Sequence, residues 1–197
     1  GHSAPTKTVT QALFPVPPHL KTDLLIKILQ KTEAGSVLVF TRTKHRAQKL
    51  ADQLSNAGYA VASLQGNLSQ AKRQAAMADF RKGKTQILVA TDIASRGIDI
   101  ASITHVINYD RPQTVEAYTH RIGRTGRAAK LGDAFTLLTK EDFSRVRAIE
   151  RILGTKLEQR TFDDFDYKAK TPFDPVPVEH SYQERHGENK SFKKNRS

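Results

Sequence analysis

Residues 37–40 read Val37-Leu38-Val39-Phe40, four apolar residues in succession, and are followed at once by Thr41-Arg42-Thr43-Lys44. An uninterrupted run of β-branched and aromatic residues is the pattern of a strand buried on both faces. It recurs along the chain with helical stretches between. Before it, Leu24, Leu25, Ile28 and Leu29 fall at helical spacing, and Gly35 lies just past the end of that helix. After it, a helix through Ala47, Leu50, Ala51 and Leu54 stops at Asn56-Ala57-Gly58, and residues 59–64 form the next strand candidate. A helix with Ala75, Ala76 and Phe80 inward closes at Gly83, and Ile87-Leu88-Val89-Ala90 is again strand-like. Val106-Ile107-Asn108-Tyr109 and Ala134-Phe135-Thr136-Leu137-Leu138 bring the count to about five strands. A last helix, with Phe143, Val146, Ile149 and Ile152 or Leu153 at helical spacing, ends at Gly154. Repeated strand, helix, strand units with short connections predict an α/β domain of three layers, with a mostly parallel sheet and right-handed crossovers.

In such sheets ligands gather beyond the carboxyl ends of the strands. The polar residues of this sequence fall there. Arg42 and Lys44 follow Phe40, Gln65-Gly66-Asn67 follows Leu64, Thr91-Asp92 follows Ala90, and Asp110-Arg111 follows Tyr109. One sheet edge is therefore expected to carry a rim of basic and hydrogen-bonding groups, which suits a phosphodiester backbone.

The chain has 197 residues, enough for one domain of roughly 140 to 160 residues with tails. A hydrophobic content of 38% is low for a chain packed throughout, and the ends are the expected unpacked part. Residues 1–19, where Pro15, Pro17 and Pro18 forbid a helix, read as a lead-in or linker. Residues 20–155 read as the domain. Residues 156–197, with Pro172, Pro175 and Pro177 and a finish in Lys190, Lys193, Lys194 and Arg196, read as a largely disordered basic extension. A formal net charge of +12 and a pI near 10.0 favour a polyanionic partner, nucleic acid above all. There is no cysteine, which excludes disulfides and thiolate metal sites. No apolar run approaches the ~20 residues of a spanning helix, so no membrane partner and a cytoplasmic location are expected. The histidines show no metal-ligand spacing, and no metal site is expected on this chain.

Chemistry concentrates in His120-Arg121-Ile122-Gly123-Arg124-Thr125-Gly126-Arg127, where arginine recurs every third residue with glycines between. Arginine keeps its charge and offers a planar fork of donors to phosphate, and glycine lets backbone approach a ligand. Gly83-Lys84-Thr85 ends like a phosphate-binding loop but fails as one. Ala78 stands where the pattern requires glycine, and the stretch ends a helix rather than opening one. Thr91-Asp92-Ile93 likewise resembles a magnesium-binding strand end without a second acid beside it.

Taken together with the arginine stretch, residues 90–100 resemble motif V of the DEAD-box RNA helicases, and residues 120–127 resemble their motif VI. Residues 37–41 resemble motif IV, and Gln65-Gly66-Asn67-Leu68-Ser69-Gln70-Ala71-Lys72-Arg73 resembles the element after it. The likeness runs from about Lys21 to Leu153 with the motifs in order. Phe40-Thr41-Arg42-Thr43-Lys44 and the basic tail are similar to bacterial RhlE-type members.

The resemblance implies the second of two RecA-like domains, the one that closes over ATP and RNA held by a first domain this sequence lacks. ATP with Mg²⁺ would then be bound mainly by that other half, the domain's first partner, with RNA and proteins of RNA processing or degradation as further partners. Arg124 and Arg127 resemble arginine fingers that reach the γ-phosphate, Asp99 the carboxylate on the ATP ribose, and His120 and Arg121 residues that organise the interdomain contact. Gln70, Arg73, Thr91, Arg96 and Gly97 correspond to positions that hold RNA phosphates and sugars. The residues alone also allow Asp99 to pair with Arg96 and Thr91 to cap a helix. A stand-alone RNA-binding module without ATPase activity remains the alternative function, and a DNA-directed helicase is a third.

Overall fold

The computed structural model of the chain describes residues 9–98, 102–122 and 132–172. Seven parallel strands form one sheet among them: β1 (Val9–Pro15), β2 (Ser36–Phe40), β3 (Val61–Leu64), β4 (Ile87–Ala90), β5 (Ile103–Asn108), β6 (Gly132–Leu138) and β7 (Glu158–Gln159). Their spatial order is β3-β4-β2-β5-β6-β1-β7. The helices are α1 (Lys21–Lys31), α2 (Lys44–Asn56), α3 (Gln70–Arg81), α4 (Val115–Ile122) and α5 (Phe143–Leu153). This is the α/β RecA-like architecture expected.

The burial of β2 shows why its sequence decides the fold. Val37 and Val39 point to one face, where α1 and α2 pack, and Leu38 and Phe40 point to the other, where Phe80 of α3 and the loop residues Ala94 and Ile98 pack. All four are at most 1% exposed. Successive side chains of a strand take opposite faces, so only a strand covered on both sides can afford no polar position. β4 repeats the division, Ile87 and Val89 against Leu88 and Ala90. Beyond β5 the second face is covered by α4 and α5, through Val115, Tyr118, Val146 and Ile149. Gly154 ends α5 in the left-handed region, φ 70°, a conformation that costs glycine nothing.

Two boundaries differ from the reading of the sequence. Residues 9–15 are not a linker but a strand, paired with β6 on one side and β7 on the other, with Ala12, Leu13 and Phe14 no more than 2% exposed. The prolines do exclude a helix there, but Pro15 ends the strand and leaves its interior free to pair. The part of the extension that is described, residues 156–172, is likewise packed on the domain. Arg160 N donates to Leu13 O (2.8 Å), Phe162 stacks on Phe14 with ring centroids 5.8 Å apart, and Phe162 N donates to the Tyr167 hydroxyl (2.9 Å). Lys27 and Lys31 of α1 both reach Asp164, at 2.7 and 3.1 Å. The segment forms a strap with no helical or strand period, held by scattered aromatic side chains. The basic residues from Lys190 to Arg196 lie outside the described residues.

Candidate nucleic-acid interface

Because every strand pair is parallel, the loops after β2, β3, β4 and β5 all emerge at one sheet edge. After β3 the chain turns through Gln65-Gly66-Asn67 into α3, whose first turn is capped by Ser69 Oγ accepting from Lys72 N (3.2 Å). Gln70 is exposed at the start of that helix. Arg73, one turn on, donates from Nη1 to Ala94 O (2.6 Å) and from Nη2 to Arg96 O (2.8 Å). It thereby binds α3 to the loop after β4.

That loop is a compact turn. Ser95 N donates to Thr91 O (3.0 Å), Ser95 Oγ to Asp92 O (3.0 Å) and Ile98 N to Ser95 O (3.1 Å). Ala94 and Ile98 are buried in the core while Arg96 and Gly97 stay exposed. Gly97 has φ +77°, which favours glycine at this bend. Thr91 is half-buried, and its hydroxyl accepts weakly from Ala94 N at 3.4 Å. Gln70, Arg96 and Gly97 are therefore brought together as exposed groups, whereas two donors of Arg73 are spent on loop carbonyls. Its geometry is that of a residue positioning Arg96 and Gly97.

Arg121, in the last turn of α4, lies 4% exposed. Nε and Nη2 grip both oxygens of Asp92 at 2.7 Å each, and Nη1 donates to Asn108 Oδ1 (2.9 Å) and Asp110 O (3.2 Å). The guanidinium also sits 4.7 Å from the centre of the Phe40 ring. A bidentate fork with further hydrogen bonds and an aromatic face fixes arginine in position and direction. So Arg121 acts inside the domain, joining the ends of β2, β4 and β5 to the helix that leads into residues 123–127. His120 beside it is exposed. Asp99, Arg124 and Arg127 lie outside the described residues.

A second charged cluster centres on Asp110. Its carboxylate accepts from Arg46 Nε (2.9 Å), Arg46 Nη2 (2.6 Å), Arg42 N (2.8 Å) and Lys21 Nζ (3.3 Å). Burial alone would raise this carboxyl, but the hydrogen bonds from Arg46 and Arg42 N and the nearby cations outweigh it and hold it below the usual value. Burial lowers the Lys21 ammonium, with Asp110 opposing. Asp110 and Arg111 are thus 4% and 9% exposed rather than part of an open rim, Arg111 being paired with Asp142 at 2.8 Å. Asn108 and Asp142 carry no sequence signal of these roles, since their partners lie 13 and 31 residues away.

The profile of the helicase conserved C-terminal domain matches residues 20–129, more than half of the chain. The chain belongs to the DEAD-box family, as its helicase C-terminal domain. It is 44% identical over 151 residues to the DEAD-box ATP-dependent RNA helicase CshA of Bacillus subtilis, covering 77% of this chain and 31% of that protein. The CshA of Geobacillus kaustophilus is 46% identical over 139 residues, 71% of this chain and 30% of that one. The domain therefore spans about a third of the length of these relatives. Among solved structures, Escherichia coli SrmB bound to regulator of ribonuclease activity A superposes with a TM-score of 0.79 at 35% identity, covering 86% of this chain and all of that one. Saccharomyces cerevisiae Dbp5 bound to RNA and ADP BeF3 gives 0.76 at 31% identity, covering 81% of this chain and 43% of that one. No helix among the described residues is long and apolar enough to cross a membrane.

Proposed function

We propose that this DEAD-box domain is the closing half of a cytoplasmic ATP-dependent RNA helicase, and that it completes an ATP site and grips RNA backbone when it meets an N-terminal RecA-like domain. The observation that carries the reading is the single edge on which Gln70, Arg96 and Gly97 are exposed and from which the Arg121-anchored helix runs into the arginine stretch. Neighbours that bind RNA with ADP BeF3, and a ribonuclease regulator, support RNA and a protein of RNA metabolism as partners.

In this reading Arg124 and Arg127 bring fixed positive charge to the γ-phosphate, where negative charge spreads in phosphoryl transfer. Asp99 accepts from the ATP ribose. Gln70, Thr91, Arg96 and Gly97 hold phosphates and sugars, with Arg73 setting the loop that presents them. His120, exposed beside the buried Arg121, faces the partner domain. Mg²⁺ and most ATP contacts fall to the other domain in this reading. The likeness of residues 40–44 and the basic tail to RhlE-type members supports that subfamily in this reading. Delivery of the arginines from a second domain makes hydrolysis conditional on closure, and closure on RNA is what opens a short duplex.

The test is steady-state ATP turnover, with and without single-stranded RNA, by this domain alone and joined to its N-terminal half. RNA-stimulated turnover is expected only from the joined protein, and Arg124→Ala should lower it by about 10³-fold or more. RNA binding with no turnover in either form would leave the binding-module reading instead.

A further inference from the structure

A cleft of about 330 Å³ opens between α1, α2 and the end of β5, lined by His19, Lys21, Arg46, Lys49, Gln53 and Tyr109. Its charge is unbalanced. Lys21 and Arg46 share one carboxylate, Asp110, which is 5% exposed and already accepts four hydrogen bonds, and Lys49 adds a third cation to the lining. Of the acids nearby, Asp142 pairs with Arg111, Asp52 accepts from Gln48 Nε2 (2.9 Å), and Asp23 lines a separate cleft with Lys27 and Asp164 while its charge also acts on Tyr109.

The lining side chains keep donors without a hydrogen-bond partner among the described residues, although Lys21 Nζ and the Arg46 guanidinium also lie 5.3 and 5.8 Å from the centre of the Tyr109 ring. Lys21 Nζ, on a side chain 7% exposed, gives two of its three protons to Tyr109 O (2.8 Å) and Asp110. Arg46 uses Nε and Nη2 on Asp110 and keeps Nη1, its side chain 46% exposed. Gln53 accepts from Thr22 Oγ1 through Oε1 (3.0 Å), which leaves its NH₂. Lys49 is exposed, with no ion pair among the described residues. Open donors on surplus cations are the requirements of a phosphate, and a buried ammonium with a spare proton gains most from one.

Hydrogen bonds of Asp110 tie the cleft to the loop after β2 and to α4. Asp110 accepts from Arg42 N in the loop that exposes Arg42 and Lys44, and its backbone carbonyl accepts from Arg121. We propose that this cleft is a further subsite for one backbone phosphate of the bound RNA strand, held by Lys21, Arg46, Lys49 and Gln53, extending the footprint past the loops after β3 and β4. The inference rests on the RNA reading above.

The experiment measures binding of single-stranded oligouridylate to this chain, which forms its own core, as a function of salt. Lys49→Gln is compared with Lys84→Gln, an exposed lysine in the turn before β4 at the opposite sheet edge. Loss of one phosphate contact lowers the slope of log K against log salt by about 0.7, roughly fivefold in affinity between 1 M and 0.1 M salt. Lys49→Gln should show that change and Lys84→Gln should not. Equal effects of the two would overturn the subsite while leaving RNA binding intact, whereas no RNA binding by the unsubstituted chain would overturn the RNA reading itself. In parallel, the amide NMR signals of His19 and Tyr109 are followed with the oligonucleotide and with inorganic phosphate. Shifts caused by inorganic phosphate but not by RNA would assign the cleft to a free anion and overturn the proposal.

Discussion

Arg121 with Asp92 and Arg46 with Asp110 are arginine–carboxylate pairs on the same sheet edge, built in opposite senses. In the first the cation is sealed, 4% exposed, and the acid is 51% exposed. In the second the acid is sealed at 5% and the arginine is 46% exposed. A sealed cation with every nitrogen of its fork engaged is poorly placed to hold a ligand, so Arg121 works as a strut. A sealed anion surrounded by cations leaves positive charge facing outward, so the Asp110 cluster has binding capacity to spare. Orphaning a buried charge is costly in either pair.

The largest effect is therefore expected at Asp110. Asp110→Ala leaves the Lys21 ammonium buried at 7% exposure with a backbone carbonyl as its remaining acceptor, and should cost about 3–5 kcal/mol in chemical denaturation. The acid limb of stability carries the same signature. Asp110 has a folded-state value held below the ordinary one, so its contribution is complete above the unfolded value near ~3.9 and is lost as pH falls through the folded value. Asp110→Asn should be less stable than the parent at neutral pH and lose less on acidification. If the two proteins run parallel from pH 5 to pH 2, the cluster is not what holds this edge.

The first pair predicts a smaller effect with an asymmetry. Asp92→Ala strands a buried guanidinium that keeps Asn108 and the Asp110 carbonyl, and should cost about 2–3 kcal/mol. Arg121→Leu fills most of the same space and leaves a half-exposed carboxylate that water can reach, but it also strips the buried Asn108 Oδ1 and the Asp110 carbonyl of their donor, and should cost about 2–4 kcal/mol. The arginine is thus the more damaging partner to remove, because it serves two buried acceptors besides the acid. The reverse order would mean that the ion pair with Asp92 carries the strut and the bonds to Asn108 and Asp110 carry little.

The two clusters also show what the sequence makes legible. Val37 to Phe40 and Ile87 to Ala90 announce their strands because burial on both faces leaves no polar residue in them. β1 escapes notice because its buried core is only Ala12-Leu13-Phe14 between Gln11 and Pro15. The strap escapes because Phe162, Phe165 and Tyr167 pack without any period. On the sheet edge Gln70, Arg96 and Gly97 stand exposed, while Arg73 is half-buried and Asp110 and Arg111 are buried, a difference their sequence context does not show. Sequence lists charges but does not pair them, and pairing separates a strut from a site.

The strap sharpens the contrast from its weak end, where an acid and two lysines meet in solvent. The hydrogen bonds from Lys27 and then Lys31 hold the Asp164 carboxyl down at about 2. The side chain is half exposed and both lysines belong to α1, so this pair is screened by salt in a way the Asp110 cluster is not. An NMR titration of Asp164 should give its midpoint well below the usual ~3.9 at low salt and move toward that value at about 1 M salt. Lys27→Gln should produce a larger part of the same shift than Lys31→Gln, because its nitrogen is the nearer at 2.7 Å. Denaturation midpoints should hardly move, since Phe162 on Phe14 and the Arg160 bond to Leu13 hold the strap without the ion pairs. A titration indifferent to salt would mean that water does not reach Asp164, and the strap would then belong with the sealed clusters of the sheet edge rather than with the surface.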